Sequence, residues 1–202
     1  MASDLKSKVA REAATLLYFG AEKEYKQAKT RAAQTFGTHF LPSNLEVALE
    51  LDKIAEENEG ESRKERLIEM RKEALQIMKL LDAYSPLLIG SVWRGNIHRG
   101  SDIDIAVYAD DAEEIVDILN AHDVTVLKTA WTTVNKHGRT MASLHVHAET
   151  YGKHGLEIVV RTSEEKEEKR KCEIFGDEIK GLKTKKIEKL LKDNATQRFV
   201  PA

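Results

Sequence analysis

Two carboxylates, Asp102 and Asp104, alternate with isoleucines at the head of an otherwise apolar run, Ile103-Asp104-Ile105-Ala106-Val107-Tyr108. Side chains two apart on a strand point to one face, so both acids leave the sheet together while Ile103 and Ile105 face the other way. At roughly 4 Å two like charges repel by about 4 kcal/mol at an effective dielectric near 20, and a chain seldom accepts that without a cation. Just upstream, Gly90-Ser91 forms a turn with the small residue and hydroxyl suited to phosphate. Gly90 lets the backbone come close. The Ser91 hydroxyl and the first amides of a following helix would point at an anion. The competing reading of Gly90-Ser91 is an ordinary strand-to-helix turn. A metal-binding acid pair beside a phosphate cradle points to phosphoryl or nucleotidyl transfer.

The elements that must position these groups start at Pro86, where the pattern changes. Leu87–Ile89 reads as a short strand, a helical turn runs from Ser91, and a loop spans 96–101. Residues 102–108 form the second strand. Asp110 or Asp111 caps a helix carrying Ile115, Ile118 and Leu119, and 124–130 is a third strand. Residues 141–149 and 156–161 pair as an antiparallel hairpin through Tyr151-Gly152-Lys153-His154-Gly155. Thr162 with Glu165 caps a charged helix, and Thr184 caps the last one. Before Pro86 the chain is helical. One helix runs from Leu5 into the low thirties with Gly20 as a weak point. A second opens at the capping box Ser43/Glu46, and Glu59-Gly60-Glu61 breaks it. A third is capped by Ser62/Glu65, with a buried stripe at Leu67, Met70, Ala74, Leu75, Met78 and Leu81. Ser85-Pro86 ends it. We expect a helical region over 1–84 and an α+β domain over 85–202. The stripes of the N-terminal helices are core, or else the contact of a homodimer.

The compound pattern Gly90-Ser91, Arg94-Gly95, then Ser101-Asp102-Ile103-Asp104 resembles the nucleotidyltransferase superfamily, the fold of DNA polymerase β, archaeal CCA-adding enzymes and minimal nucleotidyltransferases. The resemblance covers roughly residues 86–161. It implies a small mixed, largely antiparallel sheet of the polymerase β palm type, flanked here by an N-terminal helical segment and C-terminal helices. It implies a third acid on a later strand, for which Glu157 in Leu156-Glu157-Ile158-Val159-Val160 is the candidate. Glu149 on the partner strand is the rival, and an edge-strand charge is the plain alternative. The family pattern has Asp at that place more often than Glu. The resemblance also implies catalysis and metal binding by Asp102, Asp104 and Glu157, with Gly90, Ser91 and Arg94 on the nucleotide.

Oxygen ligands suit two Mg²⁺ ions, with Mn²⁺ a substitute. The expected activity moves a nucleoside monophosphate from NTP, ATP foremost, to an acceptor hydroxyl on RNA or protein. The alternative is a non-catalytic nucleotide- or RNA-binding module that keeps the fold. As a lone arginine, Arg94 reads equally as a salt bridge. His98, Arg99, Lys128, Lys136 and Arg139 could reach phosphate, without a place assigned. His145 and His147 share a strand face, and with His154 they could be drawn as a zinc site, but no Cys-x-x-Cys or His-Glu-x-x-His pattern supports it. They read as a polar sheet face. Trp93 reads as packing, and Trp131 as packing or a stacking platform.

The 202-residue chain carries a net charge of −2, so global charge does not announce a nucleic-acid binder. Basic runs at Lys6–Arg31 and Lys180–Lys192 read as solvated helix faces or as polyanion contacts. The single Cys172 allows no intramolecular disulfide. No apolar run approaches a membrane span and the N-terminus lacks signal-peptide order, so a soluble cytoplasmic protein is expected.

Overall fold

The computed structural model describes residues 2–122, 124–136 and 139–201, with the side chains of 2, 3, 135, 136 and 139 outside the description. The phosphate contacts considered for Lys136 and Arg139 therefore lie outside the described residues. Four helices come first: α1 (Ala2–Tyr18), α2 (Tyr25–Thr35), α3 (Asn44–Glu59) and α4 (Glu61–Leu80). The expected long first helix is two. Gly20 takes a left-handed φ of 71° and the chain turns there before α2 starts. The Ser43/Glu46 capping box is present at α3. The second expected cap is not. α4 starts two residues early, with Gly60 as its N-cap, and the Ser62 hydroxyl donates back to the Glu59 carbonyl instead.

The rest is β1 (Leu87–Ile89), α5 (Gly90–Arg94), β2 (Ile103–Tyr108), α6 (Ala112–Ala121), β3 (Thr125–Lys136), β4 (Arg139–Glu149), β5 (Gly155–Arg161), β6 (Leu182–Lys183) and α7 (Thr184–Asp193). Thr162 and Glu165 do form a capping box, but it opens a short 3₁₀ turn, Ser163–Glu167, rather than a charged helix. The sheet order is β3-β4-β5-β2-β1-β6. Only β2 and β5 run parallel; the other neighbours are antiparallel. The fold is α+β, with the mixed, mainly antiparallel sheet expected from the sequence.

Alternation along β2, β5 and β4 sorts the two faces. Ile103, Ile105, Val107, Leu156, Ile158, Val160, Leu144, Val146 and Ala148 pack beneath α4, α6 and α7 in one core. Asp104, Glu157, His145 and His147 take the other face by the same parity. A second, separate core joins α1, α2 and α3, with Val9, Ala13, Ala32, Val47 and Ile54 inside it. The stripe of α4 belongs to the sheet's core. Both N-terminal stripes are thus buried within the chain. Among the described residues no helix is long and apolar enough to cross a membrane.

Candidate active site

One register row crosses the open face of the sheet. Asp104 lies beside Glu157, Glu157 beside His147, and His147 beside Lys128; on the other side Asp104 pairs with Ile89, next to Gly90. β-Branched residues around each acid keep these strands extended and bury the reverse face. Two glycines make room for the two aspartates. A Cβ on Gly90, whose φ is 69°, would fall 1.9 Å from Asp104 Oδ2, and one on Gly155 would fall 2.1 Å from Asp102 Oδ1. Any other residue at either position would push a carboxylate aside.

The electrostatics of this cluster are unfavourable as the chain stands. Burial, then Glu157 and Asp102, push the Asp104 carboxyl up to about 8. Asp102 keeps an exposed side, yet what burial it has, and then Glu157, raise it too. Asp104 and Glu157 are register partners, and the Asp102 carboxylate lies where a Cβ of Gly155 would, two residues from Glu157 on β5, so all three acids stand on one side of the sheet. Glu157 is held by His145, whose Nδ1 lies 2.6 Å from Glu157 Oε1, and the Ser143 hydroxyl is 3.3 Å from His145 Nε2. The rival Glu149 pairs with Gly155 and is exposed, two residues along β4 from this row.

The donor chemistry, carboxylate oxygens whose protons are hard to lose without a neighbouring positive charge, suits hard divalent cations. Among the described residues no three His, Cys, Asp or Glu side chains are drawn together tightly enough to hold an ion by themselves. Asp102 and Asp104 are the pair whose chemistry fits, and Glu157, the register partner of Asp104, is engaged to His145.

Of the residues expected on the nucleotide, Gly90 and Ser91 stand at the head of α5 against Asp104, and Ser91 has no side-chain partner among the described residues. Arg94 is not brought to them. It is 3% exposed, paired with Asp177 (Nη2 to Oδ1 2.6 Å), donating to the Phe199 carbonyl, and stacked on Trp93 and Phe175 at 4.5 and 4.6 Å. Trp93 is packed and Trp131 is 63% exposed. His98 is held neutral by burial, which lowers it to about 4, and it caps its own loop through Gly100 N–H. Arg99 lies over Tyr18 and gives its backbone N–H to Glu59. His154 bonds Glu73, so the three histidines do not meet.

Several contributors carry no local sequence signal. Arg63 Nε donates to the Ile97 carbonyl at 2.7 Å, fastening the loop that delivers Asp102. Arg71 fixes α5 by donating to the carbonyls of Val92 and Trp93. Lys23, between α1 and α2, and His147 both act on Asp102 in the direction that favours its charge.

A family model described as a nucleotidyltransferase domain matches residues 71–199. A search of the curated proteins found no match. Among solved structures, similarity is found to a cytoplasmic RNA terminal U-transferase (14% identity, TM-score 0.33, 54% of this chain and 34% of that one). It is also found to a GLD-2/RNP-8 complex (11% identity, TM-score 0.34, 60% of this chain and 44% of that one). The chain thus spans less than half the length of either.

Proposed function

The chain belongs to the nucleotidyltransferase domain family, and on that premise we propose that it moves a nucleoside monophosphate from an NTP to an acceptor hydroxyl, breaking the α–β phosphoanhydride bond and releasing pyrophosphate. The observation that carries this is the acid row: Asp102, Asp104 and Glu157 on one open sheet face, each aspartate given its room by a glycine. Asp102 and Asp104 hold divalent ions, Mg²⁺ or Mn²⁺, with Glu157 completing the set. When bound, such ions neutralise the acids, polarise the phosphoryl group and ease ionisation of the attacking hydroxyl. Gly90 and Ser91 receive the triphosphate at the β1 side of Asp104. The Ser91 hydroxyl donates to a phosphate oxygen. Glu157, oriented by His145, takes the proton of the acceptor hydroxyl.

The test is incubation with labelled NTPs, Mg²⁺ and candidate RNA and protein acceptors. Transfer by the wild type and none by Asp102→Ala or Asp104→Ala is the expected result. Equal transfer by all three proteins would refute catalysis at this site.

A further inference from the structure

The acid row occupies one end of its sheet face, and the other end carries charge of the opposite sign. A cavity of about 520 Å³ opens there, within the size range of small-molecule sites. Its floor is Pro86, Leu87 and Tyr108. Leu87 pairs with Ala106, which lies midway between Asp104 and Tyr108 along β2, so parity puts Leu87 and Tyr108 on the same face as the acids. Four residues of strand, roughly 13 Å, separate Tyr108 from Asp104. Ala106 and its register partner Val159, which lie between on that face, are buried, so the cavity and the acid row open separately.

Four lysines stand around the floor. Lys166 is one, and Lys183, Lys185 and Lys186, from the basic run Lys180–Lys192, are the others. Lys183 is the register partner of Leu87 and shares its face. All four are exposed, and none is in a hydrogen bond or ion pair among the described residues. Lys185 feels Glu188, but that acid is bonded to Lys79. Two acids also line the cavity: Glu167, and Asp82, which accepts from the Thr184 hydroxyl at 3.2 Å. The cationic excess continues behind Tyr108. Arg161, opposite Tyr108 on β5, is half-buried and held below its ordinary range by burial and then by Arg170. Arg170 in turn keeps a buried Nε without a partner. α7 opens at this rim with no acid in its first turn, although helix starts ordinarily draw acids. The chain gathers these cations at a cavity and does not neutralise them.

We propose that this cavity is a second nucleotide site, separate from the acid row, which binds a nucleoside di- or triphosphate without a metal ion. The lysines take the phosphates as point charges. The base lies on Tyr108 and Leu87, a flat ring on an apolar floor. Occupancy of this cavity does not depend on whether the acid row transfers nucleotides.

The experiment is calorimetry with ADP in EDTA, because without a divalent ion the three acids of the row repel phosphate. One ADP should bind per chain, and Asp104→Ala should bind it as the wild type does. The double variant Lys185→Ala/Lys186→Ala should bind about tenfold more weakly, each exposed charge contact being worth at most about fivefold. Tyr108→Leu should weaken ADP binding about tenfold through lost stacking and leave the weaker binding of inorganic pyrophosphate unchanged. Lys26→Ala, which removes an exposed lysine of α2, should change nothing. No binding of ADP in EDTA, full binding by the double lysine variant, or binding lost in Asp104→Ala would overturn the proposal. Pyrophosphate bound as tightly as ADP would overturn the placement of a base on the floor.

Discussion

The acid row and the seam beneath α5 both concentrate charge, and they treat it in opposite ways. In the seam, Arg71 is fully buried yet donates to four carbonyls, those of Val92, Trp93, Ala195 and Gln197. Arg94 has Asp177, the Phe199 carbonyl and two aromatic faces. Both guanidinium charges are met by acceptors of the chain itself. In the acid row, Asp104 feels both Glu157 and Asp102 and, among the described residues, has no cationic side chain bonded to it. Charge that the fold satisfies internally holds the molecule together. Charge that it gathers and leaves uncompensated is there for something that arrives from outside.

The contrast can be broken most sharply at Asp104. Asp104→Asn should reduce nucleotidyl transfer by at least a thousandfold, since it removes a carboxylate that would hold the divalent ions against the reacting phosphate. Its thermal midpoint should hold or rise. A variant that unfolds instead would place Asp104 with the seam. Next in size, Gly155→Ala sets a methyl group against the Asp102 carboxylate. A displacement of about 1 Å at a reacting group can cost roughly a hundredfold in rate, which steady-state assay of the folded variant would read. In the seam, Arg71→Met should cost about 3 kcal/mol in urea unfolding, because it strands buried carbonyls. Transfer per folded molecule should fall far less than for Asp104→Asn.

A smaller effect concerns pH without metal. The folded Asp104 carboxyl titrates near 8 and the unfolded one near its ordinary value. Between those values the folded state binds more protons, so stability is higher at the acid end and falls as pH rises toward 8. Melting curves from pH 4 to 8 should show that decline, and it should flatten in Asp104→Asn or with added Mg²⁺. The smallest expected change is at the α3 cap, where Ser43→Ala should cost about 1 kcal/mol in the same unfolding assay and leave transfer intact.

How much of this was legible in the sequence depends on the same contrast. The strands around Asp104 and Glu157 announce themselves because local alternation dictates their faces, and the Ser43 cap because its partner lies three residues on. Arg94 was misleading. It sits beside Gly90-Ser91 in sequence, but α5 turns it inward to Asp177, 83 residues away, and nothing local signals that pairing. The break at Gly20 needed a decision between helix propensity and a left-handed glycine that only packing of α2 on α1 made. The register shift in β3 before Lys128 left no local mark either, since it shows only against β4. The electrostatic influence of Lys23 on Asp102 belongs with these, since the two lie 79 residues apart in sequence.

The seam also sets a timetable. Arg71 and Arg94 fasten α5 to the backbone at Ala195, Gln197 and Phe199, and Gly95 lies 3.0 Å, by its notional Cβ, from the Gln197 carbonyl. During synthesis the aspartate strand emerges about a hundred residues before the segment that braces the turn beside it. A nascent chain therefore carries its acids long before it owns a finished cradle, and competence should switch on only after residue 199 has cleared the ribosomal tunnel.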